Sequence, residues 1–596
     1  MSNVKYNHIM LNCQNCGLQT VKTYAFNAKE FKNNVAKQTK GSILVCRKCK
    51  NFYKERKDKL KLVLDSGANK RLIVSGPGTG KTFAFKRIVS EMSPNAKVCI
   101  FTLINNLAND LIEEFDKPEF ENVKASTFHG YCKQLLYSKL GFGGKYYPNL
   151  SALIKDDSDV LGFGYTEKNF QIVFANLKEN DSILKFFIDR STYYNAVSHQ
   201  DSVYKVYKIF SENSNSIPRY DLVIADEYQD FNKLEVSFIN LLSSKSSILI
   251  AGDDDQSLYG FREASKEHII NLYNSLPENQ RFNLPFSSRC TEVLMDSVNS
   301  LIEKAVDTGL LGNRISDKEY VSYWPDKYAL DTKYAQIVVA QCTIEKTAFQ
   351  FIKHRIETIT RNEGLTGREQ DIQFLVIGAE SQHRLNSLAD FLEQNLDTDL
   401  YTIEKKEASN SNEIEEGYDL VRFNEKSNLG WRIILHEDPA ENISEIIHRS
   451  YKEKFPIYDL LPNDYKNEHT AKIKEFFSKK KNILEEVINE NFNKIRIKLT
   501  NYLGSKGLSA LHVVIWELHN GVLPSDLHNI SDEDIYRFIV ALTRAKRSCS
   551  TVSFKEYDRV SKRLLAKKSI LLDYLPQRNL KIIKCRLEKG NLIYRN

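Results

Sequence analysis

Two sets of residues are spaced for chemistry. The first begins with Gly76-Pro77-Gly78-Thr79-Gly80-Lys81-Thr82, which follows the apolar run Leu72–Ser75 and opens a helical pattern, Phe83–Met92. Glycines let the backbone curl so that successive N–H groups face phosphate oxygens. Lys81 then reaches the β and γ phosphates of a nucleotide, and Thr82 offers a hydroxyl to Mg²⁺. A second apolar run, Leu222–Ala225, ends in Asp226-Glu227. A carboxylate at a strand end can hold Mg²⁺ through its water shell. Its neighbour can activate the attacking water. The other set is Cys13-x2-Cys16 and Cys46-x2-Cys49, with 29 residues between the pairs. Four thiolates on two short knuckles suit tetrahedral, structural Zn²⁺, since no coordination position is left open for catalysis. Gly17 allows a tight turn after the first pair. The other six cysteines are scattered singly, which fits reduced thiols better than a disulfide scaffold.

The elements that position these residues follow from periodicity. Leu72–Ser75, Lys97–Thr102, Leu222–Ala225 and Ile248–Ala251 are apolar at nearly every position, as strands covered on both faces are. Ile337–Ala340, Phe374–Ile377, Val513–Trp516 and Ser550–Ser553 form a second set. Two α/β sheets are expected, each flanked by helices. Residues 130–215 and 390–495 read as mainly helical insertions, and Glu404–Asp419 as a loop or connection. The second cysteine pair leads into a basic helical pattern, Lys48–Leu64.

Charge is uneven. The chain of 596 residues carries net +7, yet residues 1–61 alone carry +11 and residues 555–596 carry +8, so the body is acidic. Basic ends suggest phosphate contact. No apolar run approaches bilayer length and the first residues lack a signal-peptide pattern, so an intracellular, cytoplasmic protein without membrane contact is expected.

Further motifs extend the series. Asp226-Glu227-Tyr228-Gln229-Asp230, Gly252-Asp253-Asp254-Asp255-Gln256-Ser257-Leu258-Tyr259-Gly260-Phe261-Arg262 and Ala125-Ser126-Thr127-Phe128-His129 stand in the first half. Ser505-Lys506-Gly507-Leu508 and Val540-Ala541-Leu542-Thr543-Arg544-Ala545-Lys546 stand near the end. In kind and order these resemble the motifs of UvrD/Rep-like superfamily 1A DNA helicases, from about residue 70 to 550. The resemblance implies two RecA-like P-loop NTPase domains, the first built from 61–129 and 216–280, the second from 281–389 and 496–596. It also implies a helical insertion at 130–215 and a reduced one at 390–495. The zinc-binding basic module, 1–60, lies outside it. The implied activity is ATP-dependent 3′–5′ translocation or unwinding on single-stranded DNA or tailed duplex, in repair, recombination or defence against foreign DNA. An ATP-gated DNA-sensing switch, or a helicase subunit that activates a partner nuclease, is the alternative. Implied roles are γ-phosphate sensing by Gln256 and charge neutralisation by Arg289 and Arg544. Phe128, His129, Tyr259 and Phe261 would stack on bases or line the strand's path.

The chain departs from the pattern around the base and ribose. Ser288 stands where an aromatic residue usually precedes the arginine. Phe83 replaces an arginine after the phosphate loop, yet can stack on a base. Ser509 replaces a glutamate, Leu103 replaces a phenylalanine, and no adenine-reading glutamine is evident in Asn51–Lys70. Discrimination between ATP and GTP weaker than is usual for these helicases is therefore expected, with ATP still used.

Overall fold

A computed structural model describes residues 11–14, 17–20, 22–27, 42–369, 371–378, 381–405, 413–480, 494–558, 563–566 and 568–595. Two large sheets organise the chain. In the first, six parallel strands run in the order Arg281–Leu284, Lys70–Ser75, Ser247–Gly252, Leu222–Ala225, Val98–Thr102 and Val123–Thr127. Leu222–Ala225 and Val98–Thr102 are buried at every position, because helices cover both faces. Burying each Leu, Ile, Val or Phe contributes about 1.5–3 kcal/mol, which outweighs the absence of any polar face along these strands. Register pairs Ala225 with Ile250 and Gly252 with Val74. The phosphate loop, Asp226 and Asp253 therefore leave the sheet at one edge, the carboxyl ends of the strands, where open α/β sheets hold ligands.

The second sheet has nine strands. Tyr401–Glu404, Ile495–Asn501, Ile372–Gly378, Ala510–Ile515, Ala545–Asp558, Ile337–Cys342 and Leu580–Glu588 lie parallel in that order. Asn591–Arg595 and Arg563–Ala566 pair antiparallel with Leu580–Glu588 and Ala545–Asp558. The fold is thus α/β, with parallel sheets of the RecA-like P-loop kind. Two sheet boundaries differ from expectation. Arg281–Leu284 belongs to the first sheet, beyond residue 280, and Tyr401–Glu404 belongs to the second rather than to an insertion. Part of the expected loop Glu404–Asp419 is helix, Glu413–Phe423.

Helices Leu150–Val160, Glu167–Ala175, Ser182–Tyr193 and His199–Glu212 form the first insertion. The second comprises Glu413–Phe423, Asn428–Glu437, Ile443–Lys452, Ile457–Leu460 and Asn463–Lys480. Its Trp431, Ile433 and Ile434 share one apolar core with Phe170, Phe174 and Phe187 of the first. The second insertion thus packs on the first insertion, although it is spliced into the second sheet. No described helix is long and apolar enough to cross a membrane.

Near the start, the helix Arg47–Asp65 is capped by Cys46, whose sulfur accepts the Cys49 N–H at 3.5 Å. It continues into the strand Lys70–Ser75 and so ties the cysteine-bearing segment to the phosphate loop.

Candidate active site

The phosphate loop joins the strand Lys70–Ser75 to the helix Lys81–Ser90, which begins two residues earlier than the sequence pattern indicated. Thr79 closes it by donating to the Gly76 carbonyl at 3.0 Å. Two glycines are required by neighbours. A side chain on Gly76 would strike the Tyr320 ring, and one on Gly78, whose φ is +67°, would strike Cβ of Arg289. The second half of the chain thus sits directly on the loop. Ser287 donates to the Pro77 carbonyl at 2.8 Å, and the Ser288 N–H to that of Gly78 at 3.0 Å.

The cleft between the halves holds about 430 Å³. The first half lines it with Gly76, Pro77, Gly78, Thr79, Gly80, Lys81, Thr82, Leu107, Asp226, Glu227 and Gln256. The second lines it with Ser288, Arg289, Lys506, Gly507, Ser509, Arg544 and Lys546. Every expected nucleotide-site residue except Phe83 lines this cleft. Phe83 lies just outside it on the helix, 38% exposed.

Lys81 bridges the carboxylates, 2.5 Å from Glu227 Oε1 and 3.4 Å from Asp226 Oδ1. Glu227 adopts φ +56°, a left-handed conformation costly for a side-chain-bearing residue, and is held by Gln229, which donates to its Oε2 at 2.6 Å. Burial opposes ionisation of Glu227, but Lys81 and Lys506 hold its carboxyl well below the usual range. Burial pushes Asp226 up to about 6, against the pull of Lys81. Gln256 is fixed by Asp253 at 2.7 Å and accepts from Arg544 at 3.3 Å. Arg544 is buried and also donates to the Val540 carbonyl at 2.9 Å; burial, then Arg289, bring its pKa down to about 9. Behind Gln256, Asp253 and Asp255 are neutralised by Lys318, at 2.7 and 2.8 Å, and Arg314 pairs with Asp255 at 2.7 Å.

The sequence reading gave Lys506 no role of its own, although the residue stood in a quoted motif. It is buried, pairs with Asp230, donates to the Gln256 carbonyl at 2.7 Å, and lies 3.8 Å from Glu227. Its ammonium also stands 5.4 Å from the Tyr259 ring.

The four expected nucleic-acid residues divide. Phe128 is a correction. It is fully buried against Phe101, Phe231 and Phe238 and cannot reach a base, because the cap at Thr127 turns the first helical residue into the core. His129 is partly exposed and meets His199 edge-on at 5.6 Å; burial and Arg262 hold it neutral, near pKa 3. Tyr259 is partly exposed and Phe261 is 49% exposed, with ring centroids 5.8 Å apart. The Phe261 carbonyl accepts from Lys168 at 2.6 Å and Gln171 at 3.1 Å, which clamps this loop to the first insertion.

At the N-terminus, the thiols of Cys13, Cys46 and Cys49 are buried and lie within 4.8 Å of one another. Cys13 and Cys49 are 3.7 Å apart, close to the roughly 3.8 Å edge of a tetrahedron with Zn–S bonds of about 2.3 Å. Gly17, at φ +77°, donates back to the Cys13 carbonyl at 2.8 Å, forming the expected turn. Cys16 lies outside the described residues.

Comparison with known proteins agrees with this geometry. The model of the AAA domain family matches residues 63–262. The chain is 30% identical over 147 residues to DNA helicase II of Salmonella typhimurium, covering 24% of this chain and 18% of that protein. It is 21% identical over 369 residues to the ATP-dependent DNA helicase PcrA of Staphylococcus epidermidis, covering 54% and 50%. With PcrA of Staphylococcus aureus it shares 24% over 275 residues, covering 39% and 38%. The matches therefore span half or less of the length of these relatives.

Proposed function

We propose that the chain is a DNA-dependent ATPase that moves 3′ to 5′ along single-stranded DNA and opens tailed duplexes. One observation carries the reading: a single cleft sets Lys81, Asp226, Glu227 and Gln256 of the first half against Arg289, Lys506 and Arg544 of the second. Its two moving units are 61–129 with 216–284, and 285–404 with 494–596, each bearing one helical insertion. The cysteine-bearing segment 1–60 precedes them.

In this mechanism Lys81 and the loop N–H groups take the β and γ phosphates. Thr82 and Asp226 would hold Mg²⁺, which supplies positive charge beside the phosphates when bound. Glu227, kept ionised by Lys81 and Lys506, accepts the proton of the attacking water. Gln256 orients that water. From across the cleft, Arg289 and Arg544 neutralise the charge that develops as the γ-phosphoryl group passes from ADP to water, so turnover requires closure. Lys506 stands 3.8 Å from Glu227 on one side and 5.4 Å from the Tyr259 ring on the other, giving a short route from ATP state to the DNA-facing aromatics Tyr259 and Phe261.

Saturating single-stranded DNA is expected to raise the ATPase rate at least tenfold, with duplexes carrying a 3′ tail unwound faster than those with a 5′ tail. Stimulation without unwinding on either tail would favour a DNA-sensing switch, and the opposite tail preference would reverse the polarity.

The three clustered thiols, with Cys16, would hold one structural Zn²⁺. Elemental analysis should find one zinc per chain, and Cys13→Ser should release it while the melting transition of the sheets persists. Metal-free purified protein would end that assignment.

A further inference from the structure

The helix Arg47–Asp65 passes beside the phosphate loop, where its Arg56 approaches Gly80. Phe52 packs edge-on against Phe286 at 5.8 Å, just before Ser288 and Arg289. One turn further along, the Arg56 guanidinium lies over the Tyr323 ring at 4.5 Å. Tyr323 is 3% exposed, and its N–H is tied to the Ser287 carbonyl at 2.7 Å, so it forms a fixed backing. A terminal nitrogen of Arg56 and Cβ of Phe83 each lie 3.8 Å from the point that a β-carbon on Gly80 would occupy. Arg56 and Phe83 therefore flank the same residue of the phosphate loop, Gly80.

A guanidinium spread over an aromatic ring keeps its second face for another flat group. Arg56 is only partly exposed and, among the described residues, pairs with no carboxylate. Neither side chain lines the cleft itself, and a nucleoside extending past Gly80 from phosphates held at Lys81 meets both. Resting on the reading of the cleft as a nucleotide site, we propose that Arg56, backed by Tyr323, and Phe83 form the platform on which the nucleobase stacks. An element outside both sheets, the helix capped at Cys46, thus supplies part of nucleotide recognition. Both members are flat and neither presents an acceptor and donor pair matched to adenine. The platform favours any purine, and discrimination between ATP and GTP stays below about tenfold, far from what a hydrogen-bonding base pocket reaches.

The test uses the full chain with saturating single-stranded DNA, comparing ATP, GTP and inorganic tripolyphosphate as a competitive inhibitor. Arg56→Ala should raise KM for ATP and for GTP about tenfold each, within the range of one stacking contact. kcat should fall much less, and the Ki of tripolyphosphate should be unchanged. Arg56→Lys, which keeps the charge and loses the plane, should resemble Arg56→Ala, and Phe83→Ala should shift KM in the same sense. An equal rise in the tripolyphosphate Ki, or full rescue by lysine, would make Arg56 a phosphate ligand and overturn the proposal. Unchanged KM in both alanine variants would overturn it too. The unmutated protein gives an independent check, since an ATP preference of about a thousandfold or more is incompatible with stacking alone. Lys81→Ala separates the two levels: if it loses hydrolysis while Arg56→Ala changes nothing, only the platform fails, whereas normal turnover in Lys81→Ala removes the nucleotide site itself.

Discussion

Two of the contacts between the chain's halves are opposite in chemistry. Across the cleft the halves meet through polar groups: Lys506 on Asp230 and the Gln256 carbonyl, Arg544 on Gln256, and Ser287 and Ser288 on the loop carbonyls. Between the insertions they meet through a continuous apolar core that encloses Asp157, Arg190 and Arg432. Arg190 and Arg432 each donate to Asp157 at 2.8 Å, and Tyr194 donates at 2.6 Å. Phosphate oxygens can compete for every cation in the first contact. Nothing in the second is replaceable by a nucleotide. The cleft is therefore the place where ligand binding can change the separation of the sheets, whereas the two insertions move as one block.

The comparison is broken most severely at the cleft. Glu227→Gln keeps the shape and removes the proton acceptor. It should leave ATP binding intact and lower kcat by about a hundred- to ten-thousandfold, the range for a general base, while the loss of a carboxylate paired with Lys81 and Lys506 lowers the unfolding midpoint. Single-turnover hydrolysis at the unmutated rate would show that another group takes the proton.

The sequence made this cleft legible because its parts are short and local. A glycine loop between strand and helix, or an acidic pair at a strand end, carries its geometry in a few residues. Legibility ended where one position's direction mattered. Phe128 stands in a motif beside His129, and only the cap at Thr127 decides that its ring faces Phe101 and Phe238. The strand Arg281–Leu284 was missed because it lies at a sheet edge and alternates half-buried with buried residues. Arg56 escaped notice for a different reason. In sequence it is one cation in a basic run, and its role depends on Tyr323, which lies far along the chain. The union of the insertions was beyond reach, since Asp157 and Arg432 are 275 residues apart and each alone reads as surface charge.

The second contact can be tested against itself, because the insertions are joined by two kinds of ion pair. Asp157 is fully buried, while Asp189 and Lys454, 2.5 Å apart, are 41% and 48% exposed at their side chains. Burial disfavours the Asp157 carboxylate, yet Arg190 and Arg432 prevail and hold its pKa below the ordinary value. A depressed carboxylate stabilises above its unfolded value and loses that contribution only as pH falls through the folded one, so this contact should persist at pH 5. Asp157→Ala leaves two guanidinium groups in the core without their counter-charge and should cost about 3–5 kcal/mol. Lys454→Ala removes a solvated pair, whose screening and side-chain entropy offset most of its attraction, and should cost at most about 1 kcal/mol. Denaturant midpoints of the two variants give the comparison, and KM for ATP should be unaltered in both, since neither residue approaches the cleft. If Asp157→Ala proved no more costly than Lys454→Ala, the insertions would be held by apolar packing alone and the buried charges would be incidental. If Asp157→Ala instead raised KM for ATP, the insertions and the cleft would not be independent contacts, and the division between a mobile cleft and a rigid block would have to be abandoned.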